Sequence, residues 1–175
     1  MFGDPELNVE QFQLESGATV ADLGSGAGFY AFALSRAVGP TGHVFAVDVQ
    51  KDLLEKLKRG ATQNGLHNIE IIWSDLDKVG GTRLREASLD AVLAANLFFQ
   101  LEHKDDLASE IKRILKANGK VLVVDWADSF GGMGPQPETV LKKSALMTLF
   151  TKHGFRFERE ISAGAQHYGL IFRRQ

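Results

Sequence analysis

Val20-Ala21-Asp22-Leu23-Gly24-Ser25-Gly26-Ala27-Gly28-Phe29-Tyr30 joins an apolar, β-branched run to a helical one through three alternating glycines. The reading is strand, glycine turn, helix, with Ala18 to Leu23 as the strand and Gly28 to Val38 as the helix. Glycines at such a turn let the backbone approach a ligand, and the helix beyond directs free amides and a positive dipole toward it. A carboxylate within an apolar strand is costly unless hydrogen-bonded, which makes Asp22 an anchor for the glycine loop or for an amino group on the ligand.

The pattern continues toward the C-terminus. Gly39-Pro40-Thr41-Gly42 stops the first helix, and His43 to Val49 is a second strand. A second helix opens near Gln50, carries Leu53, Leu54, Leu57 and Ala61 on one face, and ends at Asn64-Gly65. Ile69 to Trp73 and Leu89 to Ala95 are the next strands, and Leu107, Ile111, Ile114 and Leu115 mark a helix ending at Asn118-Gly119. Val121 to Trp126 suits a strand buried on both faces. Pro137 opens a helix to about His153; Phe155 to Ser162 and His167 to Arg173 form an antiparallel hairpin. Strands alternating with helices predict a doubly wound α/β sheet.

The 175 residues suit one domain over 1–175, with 1–17 a terminal segment able to serve as a lid. A formal charge of -2 offers no global attraction to nucleic acid or to anionic membranes. Cysteine is absent, which excludes disulfides, Cys-ligated zinc and thiolate nucleophiles. The five histidines form no closely spaced pair, so no metal site is expected. The first basic residue is Arg36, and the longest apolar run, Ala91 to Phe99, is broken by Asn96. Neither a leader nor a membrane span is expected, and a cytoplasmic location is.

Asp48, at the expected end of the second strand, is placed in an open crevice to accept hydrogen bonds from both hydroxyls of a ribose. With the glycine turn it implies an adenosine-containing ligand. In a dinucleotide-binding loop the third glycine would fall where Phe29 stands. The order acidic-x-Gly-x-Gly-x-Gly instead resembles motif I of the class I S-adenosylmethionine-dependent methyltransferases. Ala46-Val47-Asp48 resembles that family's ribose-binding strand end, Ser74-Asp75-Leu76 its adenine-contacting segment, and Leu115-Lys116-Ala117-Asn118-Gly119 its L-K-P-G-G turn. The resemblance implies a Rossmann-like seven-stranded sheet in the order 3-2-1-4-5-7-6, strand seven antiparallel. It implies S-adenosylmethionine as cofactor and S-adenosylhomocysteine as product. The cofactor residues it points to are Asp22, Gly24, Ser25, Gly26, Gly28, Phe29, Tyr30, Asp48, Val49, Asp75, Leu76 and Asn96, although Asp75 also suits a loop cap.

Asn96-Leu97-Phe98-Phe99 lacks the two prolines of the amino-group methyltransferases of nucleobases and glutamine, which leaves that acceptor class unsupported. The region after the fourth strand looks most like the methyltransferases related to quinone biosynthesis enzymes, so a small-molecule partner is expected. Where the acceptor needs a base, His103, Asp125, Asp128 and His167 are the candidates. Ala127-Asp128-Ser129-Phe130-Gly131 is a degenerate nucleophile elbow without the helix that an elbow requires. Two alternatives stand beside methyl transfer: a nicotinamide-dependent oxidoreductase and a catalytically silent adenosine-ligand module.

Overall fold

The computed structural model describes residues 3–131 and 134–175. Met1 and Phe2 of the terminal segment expected to serve as a lid, and Gly132 and Met133, lie outside the described residues.

Five parallel strands form the body of the sheet: β1 (Thr19–Leu23), β2 (His43–Asp48), β3 (Ile69–Trp73), β4 (Leu89–Ala95) and β5 (Leu115–Trp126). A hairpin of β6 (Phe155–Ile161) and β7 (His167–Arg174) completes it, with β7 antiparallel to both neighbours. The order is β3-β2-β1-β4-β5-β7-β6. Side chains alternate across the strands and build two cores. Val20, Val44, Leu93 and Val124 pack under α1 (Pro5–Phe12), α2 (Phe29–Val38) and α3 (Lys51–Gln63). Ala21, Val92, Val121 and Val123 pack under α4 (Lys104–Ile114) and α5 (Lys143–Lys152). Strand order reverses between β1 and β4, which opens a crevice at their carboxyl ends.

Three elements differ from the sequence expectations. Residues 1–17 contain a helix, α1, which starts on Asp4 accepting from the Glu6 amide at 2.9 Å, with Pro5 as its first residue. Its end is held from the sheet: Lys120 Nζ donates to the carbonyls of Phe12 and Gln13, each at 2.7 Å, and Arg159 donates to that of Gln11 at 2.7 Å. β5 begins at Leu115, not Val121, because Leu115 already pairs with Leu89; a register shift carries the chain past Asn118, which has φ 62°. The helix expected over Pro137 to His153 is a 3-10 turn (Pro137–Thr139) followed by α5. Extended backbone at Val140 and Lys142 separates them, and the Tyr168 hydroxyl donates to the Leu141 carbonyl at 2.7 Å between the two.

Candidate cofactor site

The chain leaves β1 through Gly24, Gly26 and Gly28, all with positive φ. The amides of Gly24 and Ser25 both donate to the Val47 carbonyl, folding the loop over the end of β2. Asp48 fixes the next step: Oδ2 accepts from the Gly26 amide and Oδ1 from the Gln50 amide, each at 2.8 Å. Asp48 stands on the wall of the crevice and, at 7% exposure, also shapes the loop. Each carboxylate oxygen keeps acceptor capacity for a second donor.

The glycines divide by role. A Cβ at Gly26 meets only Leu53 at 4.0 Å, so space stands open above it. A Cβ at Gly28 would lie 2.6 Å from Leu57 and 2.9 Å from Phe32, so this glycine lets α2 and α3 close on each other.

Asp22 points from β1 into the α2 side of the sheet at 1% exposure. The Ala31 amide donates to it, yet Oδ2 has no partner among the described residues. Burial first, and the charge of Asp48 second, push its carboxyl up to about 7. An unpartnered buried carboxylate oxygen is the environment that an ammonium group relieves. Ser25 Oγ and Asn96 Oδ1 are likewise buried without partners. Asn96 follows β4 in a left-handed conformation, φ 53°, its amide donating to the Val124 carbonyl at 2.8 Å.

These groups surround a cavity of about 650 Å³ in the crevice. Of the residues expected from sequence, Gly24, Ser25, Gly26, Phe29, Tyr30, Asp48, Val49, Asp75, Leu76 and Asn96 line it; Asp22 and Gly28 lie outside the lining. Asp75 does two things: it faces the cavity and caps its own turn, accepting from the Asp77 amide at 3.0 Å. The tyrosine hydroxyl of Tyr30 accepts from Asn8 Nδ2 at 2.7 Å, and burial raises its pKa to about 12. Pro5, from the 1–17 segment expected to serve as a lid, and Gln100 and Leu101 also line it; Gln50, Leu53, Asp77 and Leu97 are on the lining without having been expected from sequence. Leu97 to Leu101 reach it through the left-handed turn at Asn96, a backbone event without a glycine to announce it.

None of the four proposed bases lines the cavity. The His103 ring is exposed, 3.4 Å from Asp77. Asp125 accepts from the amides of Phe99 at 3.2 Å and Trp126 at 2.9 Å, and burial lifts its carboxyl to about 6. Asp128 is exposed and accepts from the Ser129 amide at 2.8 Å. His167 lies 4.4 Å from Trp126, ring centre to ring centre, with neither nitrogen partnered among the described residues; burial lowers its pKa. Asp77, Glu102 and His103 bring ligand atoms within 4.8 Å of one another at the rim, and Asp77 is already engaged by the amides of Glu102 and His103.

A family model described as a methyltransferase domain matches residues 14–166. An arsenite methyltransferase of Halobacterium salinarum is 31% identical over 62% of this chain and 27% of its own length. A ubiquinone/menaquinone biosynthesis C-methyltransferase of Pseudomonas entomophila is 30% identical over 69% of this chain and 46% of its own. The chain thus spans less than half the length of these relatives. Among solved structures, an S-adenosylmethionine-dependent methyltransferase from Aquifex aeolicus is 30% identical with TM-score 0.89, covering 99% of this chain and 91% of that one. The [4+2]-cyclase SpnF, 17% identical with TM-score 0.80 over 97% of this chain and 79% of that one, shares the fold alone. None of these relatives is named as an oxidoreductase. With the strand order, the glycine loop and a match over most of its length, the chain belongs to the class I S-adenosylmethionine-dependent methyltransferases.

Proposed function

We propose that this chain transfers a methyl group from S-adenosylmethionine to a small-molecule acceptor. The observation that carries the reading is the pairing of open space above Gly26 with two buried carboxylates, Asp48 and Asp22, the second with an oxygen unpartnered. Asp48 has acceptor capacity for two ribose hydroxyls, and Asp22 for an ammonium. Ser25 and Gly26 permit close backbone approach, Val49, Asp75 and Leu76 form the adenine wall, and Asn96 faces the reacting end. When bound, the cofactor supplies an electrophilic methyl on a sulfonium; the chain's residues align it and exclude water. Leu53, Leu97 and Leu101 give the apolar part of that enclosure.

The acceptor approaches over the ends of β4 and β5. His167, opposite Trp126 in the β5–β7 register, is the base candidate whose nitrogens are unspent. Asp125 instead holds the turn after β4. This chain has no thiolate with which to hold trivalent arsenic, so the substrate in the Halobacterium protein's name is not carried over. A cytoplasmic location belongs to the same proposal; among the described residues no helix is long and apolar enough to cross a membrane.

Thermal unfolding tests the cofactor. S-adenosylhomocysteine at 100 times its dissociation constant should stabilise the protein by about 2.7 kcal/mol, while NAD should not shift it. Equal shifts with NAD, or none with the thioether, would refute the reading; radiolabelled methyl transfer to a metabolite mixture then tests turnover.

A further inference from the structure

β3 and β6 are the two edges of the sheet, and they are built differently. In β6 the register shifts between Phe157 and Arg159, and Arg156, Glu158, Arg159 and Glu160 charge the strand. A bulge and a run of charges are ordinary guards of an edge against another strand. β3, Ile69-Glu70-Ile71-Ile72-Trp73, pairs with β2 in unbroken register and carries one charge.

The hydrogen bonds to β2 fix which backbone groups of β3 are spare. The Val44 amide donates to the Asn68 carbonyl at 2.8 Å, and the Ser74 amide donates to the Asp48 carbonyl at 3.0 Å. In a parallel ladder alternate residues turn their amide and carbonyl to the same side, so Asn68, Glu70, Ile72 and Ser74 face β2. Ile69, Ile71 and Trp73 turn theirs outward, where among the described residues no strand meets them. Their side chains share the α3 face and border a groove of about 650 Å³ flanked by Lys51, Leu54 and Lys58, with Trp73 50% exposed.

Outward donors and acceptors on an extended backbone are matched by another extended backbone. An antiparallel two-fold centred on Ile71 uses all three residues: Ile71 meets Ile71 of the partner subunit, and Ile69 meets Trp73 of the partner subunit. Any other antiparallel register of this strand with itself brings together two of them at most. The facing pairs set a β-branched side chain against an aromatic one, a favourable cross-strand combination. On the opposite face Glu70 falls against Ile72 of the partner subunit, so the strands oppose no like charges. We propose that the β3 edge is a self-association surface on which a second copy of this chain pairs, joining two seven-stranded sheets into one. The two-fold uses each edge once and closes the assembly at two copies. The interface adjoins the cofactor cavity: Trp73 Nε1 donates to the Val49 carbonyl at 2.9 Å, and Val49 lines that cavity.

Cysteine cross-linking tests the two-fold, because the chain has no cysteine of its own. Directly opposed residues of a hydrogen-bonded antiparallel pair lie about 5.5 Å apart at Cα, within disulfide range. Ile71→Cys should therefore give a covalent dimer under mild oxidation. Ile69→Cys, about 14 Å from its own counterpart across the axis, should not, and adding Trp73→Cys to it should restore the cross-link. Sedimentation equilibrium of the wild type should show a reversible monomer–dimer equilibrium. Ile71→Pro, which removes an outward amide and no bond to β2, should sediment as a monomer with its circular dichroism unchanged. Should that variant fail to fold, Trp73→Lys at a half-exposed position takes its place. A wild type monomeric up to millimolar protein, or a dimer that Ile71→Cys fails to lock, overturns the proposal. Cross-linking of Ile69→Cys equal to that of Ile71→Cys, or assembly beyond two copies, overturns it as well.

Discussion

Two glycines two positions apart do different work, and substitution should separate them. Gly28→Ala drives a Cβ into Leu57 and Phe32 from a backbone at φ 98°. It should cost about 2–4 kcal/mol of stability through overpacking and strain. Gly26→Ala, at φ 52° beneath open space, should cost only about 1 kcal/mol of backbone strain. It should nonetheless lose most S-adenosylhomocysteine affinity. Thermal melts and titration calorimetry on both variants check the split; equal stability losses would refute it. Sequence presents the same residue type at both positions, because the distinction depends on α3, which only tertiary packing brings to Gly28. Asp48 shows the same limit. Its place at the end of β2 was legible, but its bond to the Gly26 amide belongs to the folded loop.

Helix α1 is short, buries little more than Asn8, Val9 and Phe12, and leaves Leu7 exposed, so its periodicity is too weak to read from sequence. Its stability is borrowed from β5 and β6 through Lys120 and Arg159. Burial holds the Lys120 ammonium below its usual range, and its position at a helix C-terminus answers the dipole. Lys120→Met removes the ammonium that donates to both carbonyls and lies 5.1 Å from the centre of the Phe12 ring. The variant should lose about 1–3 kcal/mol, and hydrogen exchange should rise in residues 5–13 ahead of the rest. Uniform exchange along the chain would show that α1 does not depend on this grip. The helix expected over Pro137 to His153 failed for a related reason: its break at Val140 to Lys142 is imposed by the Tyr168 hydroxyl, distant in sequence.

At the scale of the whole molecule, alternation of strands and helices was enough for the class of fold, while the strand order rested on the family resemblance. Electrostatics gives the molecule a pH dependence. Asp22 and Asp125 have folded pKa values raised to about 7 and about 6, so the native state holds their protons more tightly than the unfolded chain. The stability they contribute is complete below the unfolded value near 3.8 and is lost as pH rises through 6 and 7. His167, lowered by burial, acts oppositely around the ordinary histidine range, and the lowered carboxylates such as Asp90 and Glu158 act below that window. Asp22→Asn should therefore flatten the fall of melting temperature between about pH 5 and 8 relative to the wild type. Over the same range S-adenosylmethionine should bind the wild type more tightly as pH rises, since an ammonium needs Asp22 ionised. Superimposable pH profiles for the two proteins would remove Asp22 as the cause.

β7 follows β6 in the chain yet lies between β6 and β5. From Val121 to Trp126, β5 is an apolar strand with a single carboxylate, and its second edge has no partner until residues 167–174 arrive. During synthesis the order of emergence is thus not the order of assembly. The cofactor crevice between β1, β2 and β4 has all its strands once β4 has left the ribosome, while the hydrophobic edge of β5 waits, exposed to other chains, for the hairpin to fold back. The hairpin's contribution to the site is therefore indirect, and its direct effect is to close the edge of β5 once the chain is finished.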